Sequence, residues 1–94
     1  MIVRDGDRLR VAGPITLATV GALRTEGLAL LAGPAVRVDL AGAQEVDSSA
    51  LSLLLEWARA ARAAGGRLTF ENLPANLQAL ARLYGVLELL EPAG

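Results

Sequence analysis

Asp47, Ser48 and Ser49 are the residues whose types and spacing could do chemistry in this sequence. A helical pattern begins near Ser48, so these three residues lie where a loop meets a helix. A helix N-terminus exposes free backbone N–H groups and a partial positive charge. A side-chain oxygen there can cap the helix. Ser48 ranks above Ser49 as the candidate functional serine, because the spacing turns Ser49 more toward solvent.

The composition argues against catalysis. The 94 residues include no Cys, no His and no Lys, and all nine basic side chains are Arg. These absences exclude thiolate metal sites, a histidine base, Schiff-base chemistry and a P-loop lysine. Asp39 lacks the lysine of a phospho-receiver site, and Glu45 and Asp47 have no further metal ligands beside them. We therefore expect a non-enzyme without a cofactor and without a metal site.

Charge and hydropathy limit the kinds of partner. The net charge is −1 and no basic run occurs, so nucleic acid is not expected as a partner. The most apolar stretch, residues 28–38, is interrupted by Gly33-Pro34, so no direct membrane insertion is expected. The N-terminus has no signal-peptide pattern, which predicts a cytoplasmic protein. The apolar content of 53% fits either a Leu/Ala-rich core or an apolar docking surface.

Extended and helical patterns alternate along the chain, with turns at Asp5-Gly6-Asp7, Gly33-Pro34 and Gly65-Gly66. Strands are predicted over 2–4, 8–11, 35–40 and 67–71, with a short last strand within 87–90, and 41–46 is predicted as a loop. Helices are predicted over 16–31, capped by Thr16, over 48–64, and from Pro74 to Gly85. This order predicts an α/β fold, with a mostly parallel (mixed) sheet of four to five strands and three helices in one domain over residues 1–94.

A helical wheel of the second helix predicts two faces. The residues expected to face the sheet are Leu51, Leu54, Leu55, Ala58 and Ala61. Leu53 lies away from them and Trp57 lies at their edge, so both are candidate partner contacts beside the serine motif. Trp57 could equally cover the rim of the core. The arginines at 59, 62 and 82 are interpreted as a solvated rim.

Two segments resemble the STAS family of sulfate-transporter domains and anti-sigma-factor antagonists. The first is the strand at 36–40 followed, after a loop, by Asp47-Ser48-Ser49-Ala50-Leu51, although Ala50 stands where the family usually has Gly. The second, residues 80–86, is similar to the last helix of the STAS subunit (MlaB-type) of the bacterial Mla phospholipid-transport ABC system. The resemblance covers essentially the whole chain and implies a STAS-like fold.

The resemblance also implies a function. An MlaB-type protein is a non-catalytic adaptor that binds the cytoplasmic ATPase subunit of the transporter, lies at the inner membrane through that partner, and supports the lipid asymmetry of the outer membrane. The alternative is an anti-sigma-factor antagonist whose partner, a serine kinase anti-sigma factor, phosphorylates Ser48. For either function, the predicted partner-binding residues are Asp47, Ser48, Ser49, Leu53 and Trp57.

Overall fold

A four-stranded sheet, whose strands lie side by side in their order along the sequence, positions the helices and loops of this protein. The computed structural model describes residues 1–31 and 33–90. The expected domain also includes Ala32 and residues 91–94, which lie outside the described residues. The elements are β1 (Ile2–Asp5), β2 (Arg8–Ile15), α1 (Val20–Leu30), β3 (Ala35–Val46), α2 (Ser48–Ala63), β4 (Arg67–Glu71), α3 (Ala75–Leu83) and α4 (Leu87–Leu90).

The sheet is mixed and mostly parallel, as the sequence predicts. The hairpin β1–β2 is antiparallel, with Ile2 opposite Val11. Strands β2 and β3 are parallel, and so are β3 and β4, with α1 and α2 as the crossover connections. Consecutive parallel strands require such crossovers, because a tight turn joins only strands that run in opposite directions.

The two faces of the sheet differ in chemistry because side chains alternate along a strand. The buried face carries the aliphatic residues of the core, including Leu9, Val11, Val36, Val38 and Leu40. The other face carries ion pairs that link β4 to β2 and to β3, and β3 to the turn before β2. Their partners are Arg8–Glu71 at 3.4 Å, Arg37–Asp7 at 3.1 Å and Arg37–Glu71 at 3.5 Å. Such partly exposed pairs each contribute little to stability, so the apolar face holds the fold together.

Helices α2 and α3 end at glycine residues, as expected. Gly65-Gly66 follows α2, and Gly85 follows α3. After α2, Gly65 has a φ of 83°, its N–H donates to the Arg62 carbonyl, and the Gly66 N–H donates to the Ala61 carbonyl. After α3, the same bonding pattern forms around Gly85. These are Schellman motifs, in which a left-handed residue reverses the chain and satisfies the last carbonyls.

The predicted strand within 87–90 is wrong, because Leu87–Leu90 forms the short helix α4. The Schellman turn at Gly85 returns the chain toward α2 and α3, where Leu90 is fully buried. The sequence Leu-Glu-Leu-Leu contains no β-branched residue and has high helix propensity, which fits the observed helix. The sheet therefore has four strands in the part of the chain that the structure describes.

The predicted loop at 41–46 is also wrong, because β3 continues through it to Val46. In this stretch Gly42 pairs with Ala12 and Ala43 pairs with Gly13 of β2, with register shifts on both sides. Small residues have weak strand propensity, but pairing with a neighbouring strand overrides it. As a result β3 reaches the start of α2 directly, with Asp47 as the one connecting residue.

Helix α1 begins later than predicted, at Val20 rather than Thr16. Residues 16–19 instead form a turn that the Thr19 hydroxyl closes, because it accepts the Thr16 N–H at 3.0 Å and donates to the Pro14 carbonyl at 2.9 Å. Leu17 therefore lies outside the helix. Within the described residues, no helix is both long and apolar enough to cross a membrane.

Candidate functional site

The carboxylate of Asp47 organises the start of α2. Asp47 is the N-cap residue in an extended conformation, and its Oδ1 accepts the backbone N–H of Ser49 at 2.9 Å and also the Ser49 hydroxyl. Its Oδ2 accepts the backbone N–H of Leu17 at 3.0 Å. The bond from the Ser49 hydroxyl, followed by that from Leu17, lowers the pKa of Asp47 below its ordinary value. Asp47 thus caps the helix and ties the turn at 16–19 to it.

The two serines have different roles from those predicted. Ser48 is exposed as the first helical residue, whereas Ser49 is half-buried and bonded to Asp47. The prediction that Ser49 points more toward solvent is wrong, because its side chain turns back to the cap. The cap is Asp47 and not Ser48, because Asp47 occupies the N-cap position and Ser48 is already the first helical residue. Ser48 therefore presents a hydroxyl at the positive end of the helix.

A groove of about 470 Å³ lies along the outward face of α2, beside the turn between α3 and α4. Its α2 side presents Ser48, Ser52 and Leu55 on successive turns, and Tyr84, which is 60% exposed, lies on the other side. We call this the α2 groove. Its full lining is Ser48, Ser49, Leu51, Ser52, Leu55, Tyr84 and Val86.

A second depression continues the α2 groove toward the end of the helix. The two share Leu55, and the second is lined also by Ala58, Arg59, Arg62, Glu88 and Leu89. Arg59 and Arg62 are exposed, in agreement with their interpretation as a solvated rim. The outward face of α2 is therefore hydroxylic at its start, apolar at its middle and basic at its end.

Leu53 and Trp57 do not belong to this outward face, and the predicted arrangement of α2 is wrong here. Both side chains are 0% exposed and belong to the core. The helical wheel assumed that α2 packs only against the sheet, whereas it also packs against α1 on one side and α3 on another, which widens its buried face. The indole of Trp57 lies against Gly27 of α1, where a Cβ atom would overlap the ring. Leu55, predicted to face the sheet, is only partly buried and lines the groove instead.

Sequence reasoning missed two exposed apolar residues beside the site. Leu17, which lies within the predicted helix 16–31, is 79% exposed and donates its N–H to Asp47. The helical spacing places Tyr84 on one face of α3 with Leu77 and Leu80, but only Leu77 of these three is fully buried. The Gly85 that follows Tyr84 is a signal for a helix end, where an aromatic side chain can leave the core.

Other polar groups give no sign of a metal centre. No group of three or more acidic, His or Cys side chains converges within residues 1–31 and 33–90. Asp39 lies on the open face of the sheet, where it accepts hydrogen bonds from the Asn72 amide at 2.9 Å and from the Ala41 N–H at 3.0 Å. These bonds, that from Asn72 first, lower the pKa of Asp39. Asp39 is thus occupied in holding the loop after β4.

The chain belongs to the family described as the MlaB-type STAS domain, whose match covers residues 2–91. The resemblance seen in the sequence is therefore confirmed, and STAS domains are generally non-catalytic. No curated protein matches this chain.

Solved structures support the fold. The chain is similar to the anti-sigma factor antagonist SpoIIAA in its unphosphorylated form, with a TM-score of 0.68 and 17% identity over 88% of this chain and 81% of that one. It is also similar to part of Mglu, with a TM-score of 0.61 and 25% identity over 80% of this chain and 20% of that one. At these identities the two likenesses show a STAS-like α/β fold.

Proposed function

We propose that this protein is a non-catalytic adaptor that binds the ATPase subunit of an Mla-type ABC phospholipid transporter. The family match over residues 2–91 is the observation that carries this proposal. The adaptor would lie at the cytoplasmic side of the inner membrane through its partner and would support the lipid asymmetry of the outer membrane.

The α2 groove is the proposed docking surface. It offers a polar end at Ser48 and Ser52 and an apolar centre at Leu55 and Tyr84, with Leu17 beside the helix start. Binding surfaces combine such an apolar centre with polar groups that fix orientation. Asp47 and Ser49 contribute indirectly, because their mutual hydrogen bonds fix the helix start that presents Ser48.

The partner is identified by purifying the tagged protein from its own host and determining what binds to it by mass spectrometry. We expect an ABC-transporter ATPase in constant proportion. Capture of a serine kinase together with phosphate on Ser48 would instead establish the anti-sigma-factor antagonist. That alternative is favoured by one observation, the exposure of the Ser48 hydroxyl at the helix start, where a kinase can reach it.

The docking surface is tested with variants of matched chemistry. Ser52→Arg places a long cation in the α2 groove, while Thr25→Arg places the same side chain on the exposed face of α1. We expect Ser52→Arg, and also Ser48→Asp, to weaken ATPase binding and Thr25→Arg to leave it unchanged, with all three folded by circular dichroism. If Ser48→Asp, Ser48→Ala and Ser52→Arg all bind like the wild type, the docking surface lies elsewhere.

A further inference from the structure

Strand β4 is an edge of the sheet with one neighbouring strand, β3, in the part of the chain that the structure describes. The backbone N–H of Arg67 donates to the Pro34 carbonyl at 2.9 Å, so Arg67 directs its backbone groups toward β3. Successive residues of a strand direct their backbone groups to opposite sides. Leu68 and Phe70 therefore direct their N–H and C=O groups outward, and these are the groups that another strand could pair with.

The opposite edge of the sheet is protected, which makes β4 unusual within this molecule. At β1, the Ile2 N–H donates to the Glu26 carboxylate of α1 at 3.1 Å. The Arg4 guanidinium donates to the Leu30 carbonyl at the end of the same helix. Helix α1 thus lies against β1 and occupies the Ile2 N–H of that edge, and occupying an edge group in this way opposes pairing with another chain.

The sequence of β4, Arg67-Leu68-Thr69-Phe70-Glu71, is complementary to itself when two copies run antiparallel. With Thr69 opposite Thr69 of the second copy, Arg67 lies opposite Glu71 and Leu68 lies opposite Phe70. Each of these pairs falls on one face of the sheet, and opposite charges, two threonines and aromatic–aliphatic pairs are all favourable across strands.

The backbone fits the same register. Leu68 and Phe70 are the residues whose backbone groups point outward, so each Leu68–Phe70 pair would exchange two N–H···O bonds, and Thr69 would form the non-hydrogen-bonded pair on the two-fold axis. A shift of two residues, which keeps the outward backbone groups opposite each other, would place Thr69 opposite Arg67 or Glu71 and would lose the charge pairing. Backbone direction therefore limits the pairing to registers that differ by two residues, and side-chain charge selects one of them.

We propose that two copies of this chain associate through β4, so that an antiparallel β4–β4 pair joins their sheets into one continuous eight-stranded sheet. The side chains at the strand have room for it. Glu71 contacts Arg8 and Arg37 at 3.4 Å and 3.5 Å, longer than the ~2.7–2.9 Å of a strong charge-assisted bond, so it can take a further donor from Arg67 of the second copy. Leu68 and Phe70 pack on the core but are only partly buried, and pairing covers them. This inference does not depend on the proposed ATPase adaptor function.

The register is tested by cross-linking at the two-fold axis. The sequence has no Cys, so Thr69→Cys introduces a single thiol. The Cα atoms of a non-hydrogen-bonded pair lie ~4.5 Å apart, within the range that a disulfide spans. Under mild oxidation, we expect Thr69→Cys to form covalent dimers faster than Thr25→Cys on the exposed face of α1, by on the order of tenfold or more.

Charge variants at the same position test whether Thr69 of one copy lies opposite Thr69 of the second copy. Thr69→Glu and Thr69→Arg should each sediment as the 9.7 kDa monomer, because like charges then oppose each other, while their mixture should recover the doubled mass. The wild type should approach the doubled mass as its concentration rises, and Val3→Glu on β1 should behave like the wild type. The inference is overturned if the wild type stays monomeric at millimolar concentration, or if its dimer survives in both charged variants separately.

Discussion

Helix α2 has two faces that differ in both residue size and role. The inward face holds Leu53, Leu54 and Trp57, all fully buried, whereas the outward face presents Ser48, Ser52 and Arg59 to solvent. The large apolar side chains that first suggest a contact surface are structural, and the small hydroxyls form the candidate site. Because the two faces share one helix, a substitution can be placed on either with the same backbone context.

The largest contrast is expected between two neighbours, Leu53→Arg and Ser52→Arg. Arginine at position 53 would bury a charge without a partner in a packed core, at a cost of more than ~4 kcal/mol, and the protein should fail to fold. Arginine at position 52 lies on the exposed face and should change the free energy of unfolding by less than ~0.5 kcal/mol. Chemical denaturation of both variants checks this, and equal stabilities would show that the inward and outward faces are misassigned.

A smaller effect is expected at the contact between α1 and α2, where the change in the free energy of unfolding caused by Gly27→Ala depends in sign on the residue at position 57. Gly27→Ala should destabilise the protein by ~1–3 kcal/mol, because the added methyl group overlaps the Trp57 ring. In the Trp57→Leu background the clash is removed, and Ala should be neutral or stabilising by up to ~1 kcal/mol through helix propensity.

Gly21→Ala serves as the control for this cycle. Gly21 lies in the same helix with open space around it, so alanine should stabilise it by up to ~1 kcal/mol in both backgrounds. Thermal or urea unfolding of the six proteins gives the coupling free energy. Equal effects of Gly27→Ala with and without Trp57 would mean that the indole does not lie against α1.

A pH-dependent effect on stability is expected at Asp47, which caps the start of α2. The folded-state pKa of Asp47 is lowered, so its carboxylate stabilises the fold above the unfolded-state pKa of ~3.9, and that contribution is lost as the pH falls through the folded-state value. The stability advantage of the wild type over Asp47→Asn should therefore be constant near neutral pH and shrink below about pH 4. An advantage that persists unchanged in acid would exclude the ionised carboxylate as its source.

The smallest effect on stability is expected for Ser48→Ala. The Ser48 side chain is exposed and the capping bonds belong to Asp47, so the free energy of unfolding should change by less than ~0.5 kcal/mol. A decrease of ~1 kcal/mol or more in the free energy of unfolding, measured in urea, would mean that Ser48 caps the helix and would weaken its assignment as a docking residue.

The elements that could be predicted from the sequence are those with strong local signals. Strand β4 has the predicted bounds, and α2 begins at Ser48 as predicted, because Asp47 before it and Gly65 after the helix are unambiguous start and stop residues. The second half of β3 could not be predicted, since Ala41, Gly42 and Ala43 become a strand only by pairing with β2.

The sequence predicts where the helix of the candidate site begins, but not which side chains of that helix are exposed. Asp47 and Ser48 lie at the helix start as the motif implies, and the Leu80–Val86 region contributes Tyr84 and Val86 to the α2 groove. The placement of Leu53 away from the core is wrong because a helical wheel does not show how many neighbours a helix has, whereas the full burial of Trp57 agrees with the alternative that it covers the core. Gly27 carried the missing information, since a glycine inside a helix costs stability unless another element approaches closely.

The central strand β3 also determines how the chain must fold. The β1–β2 hairpin can form from neighbouring residues, but both hydrogen-bonding partners of β3 are reached only through a crossover helix. Closing those two long loops precedes any gain from the parallel pairs, which slows folding compared with helical proteins of similar size. Refolding should therefore be limited by the arrival of β3 between its neighbours, with the β1–β2 hairpin able to form earlier.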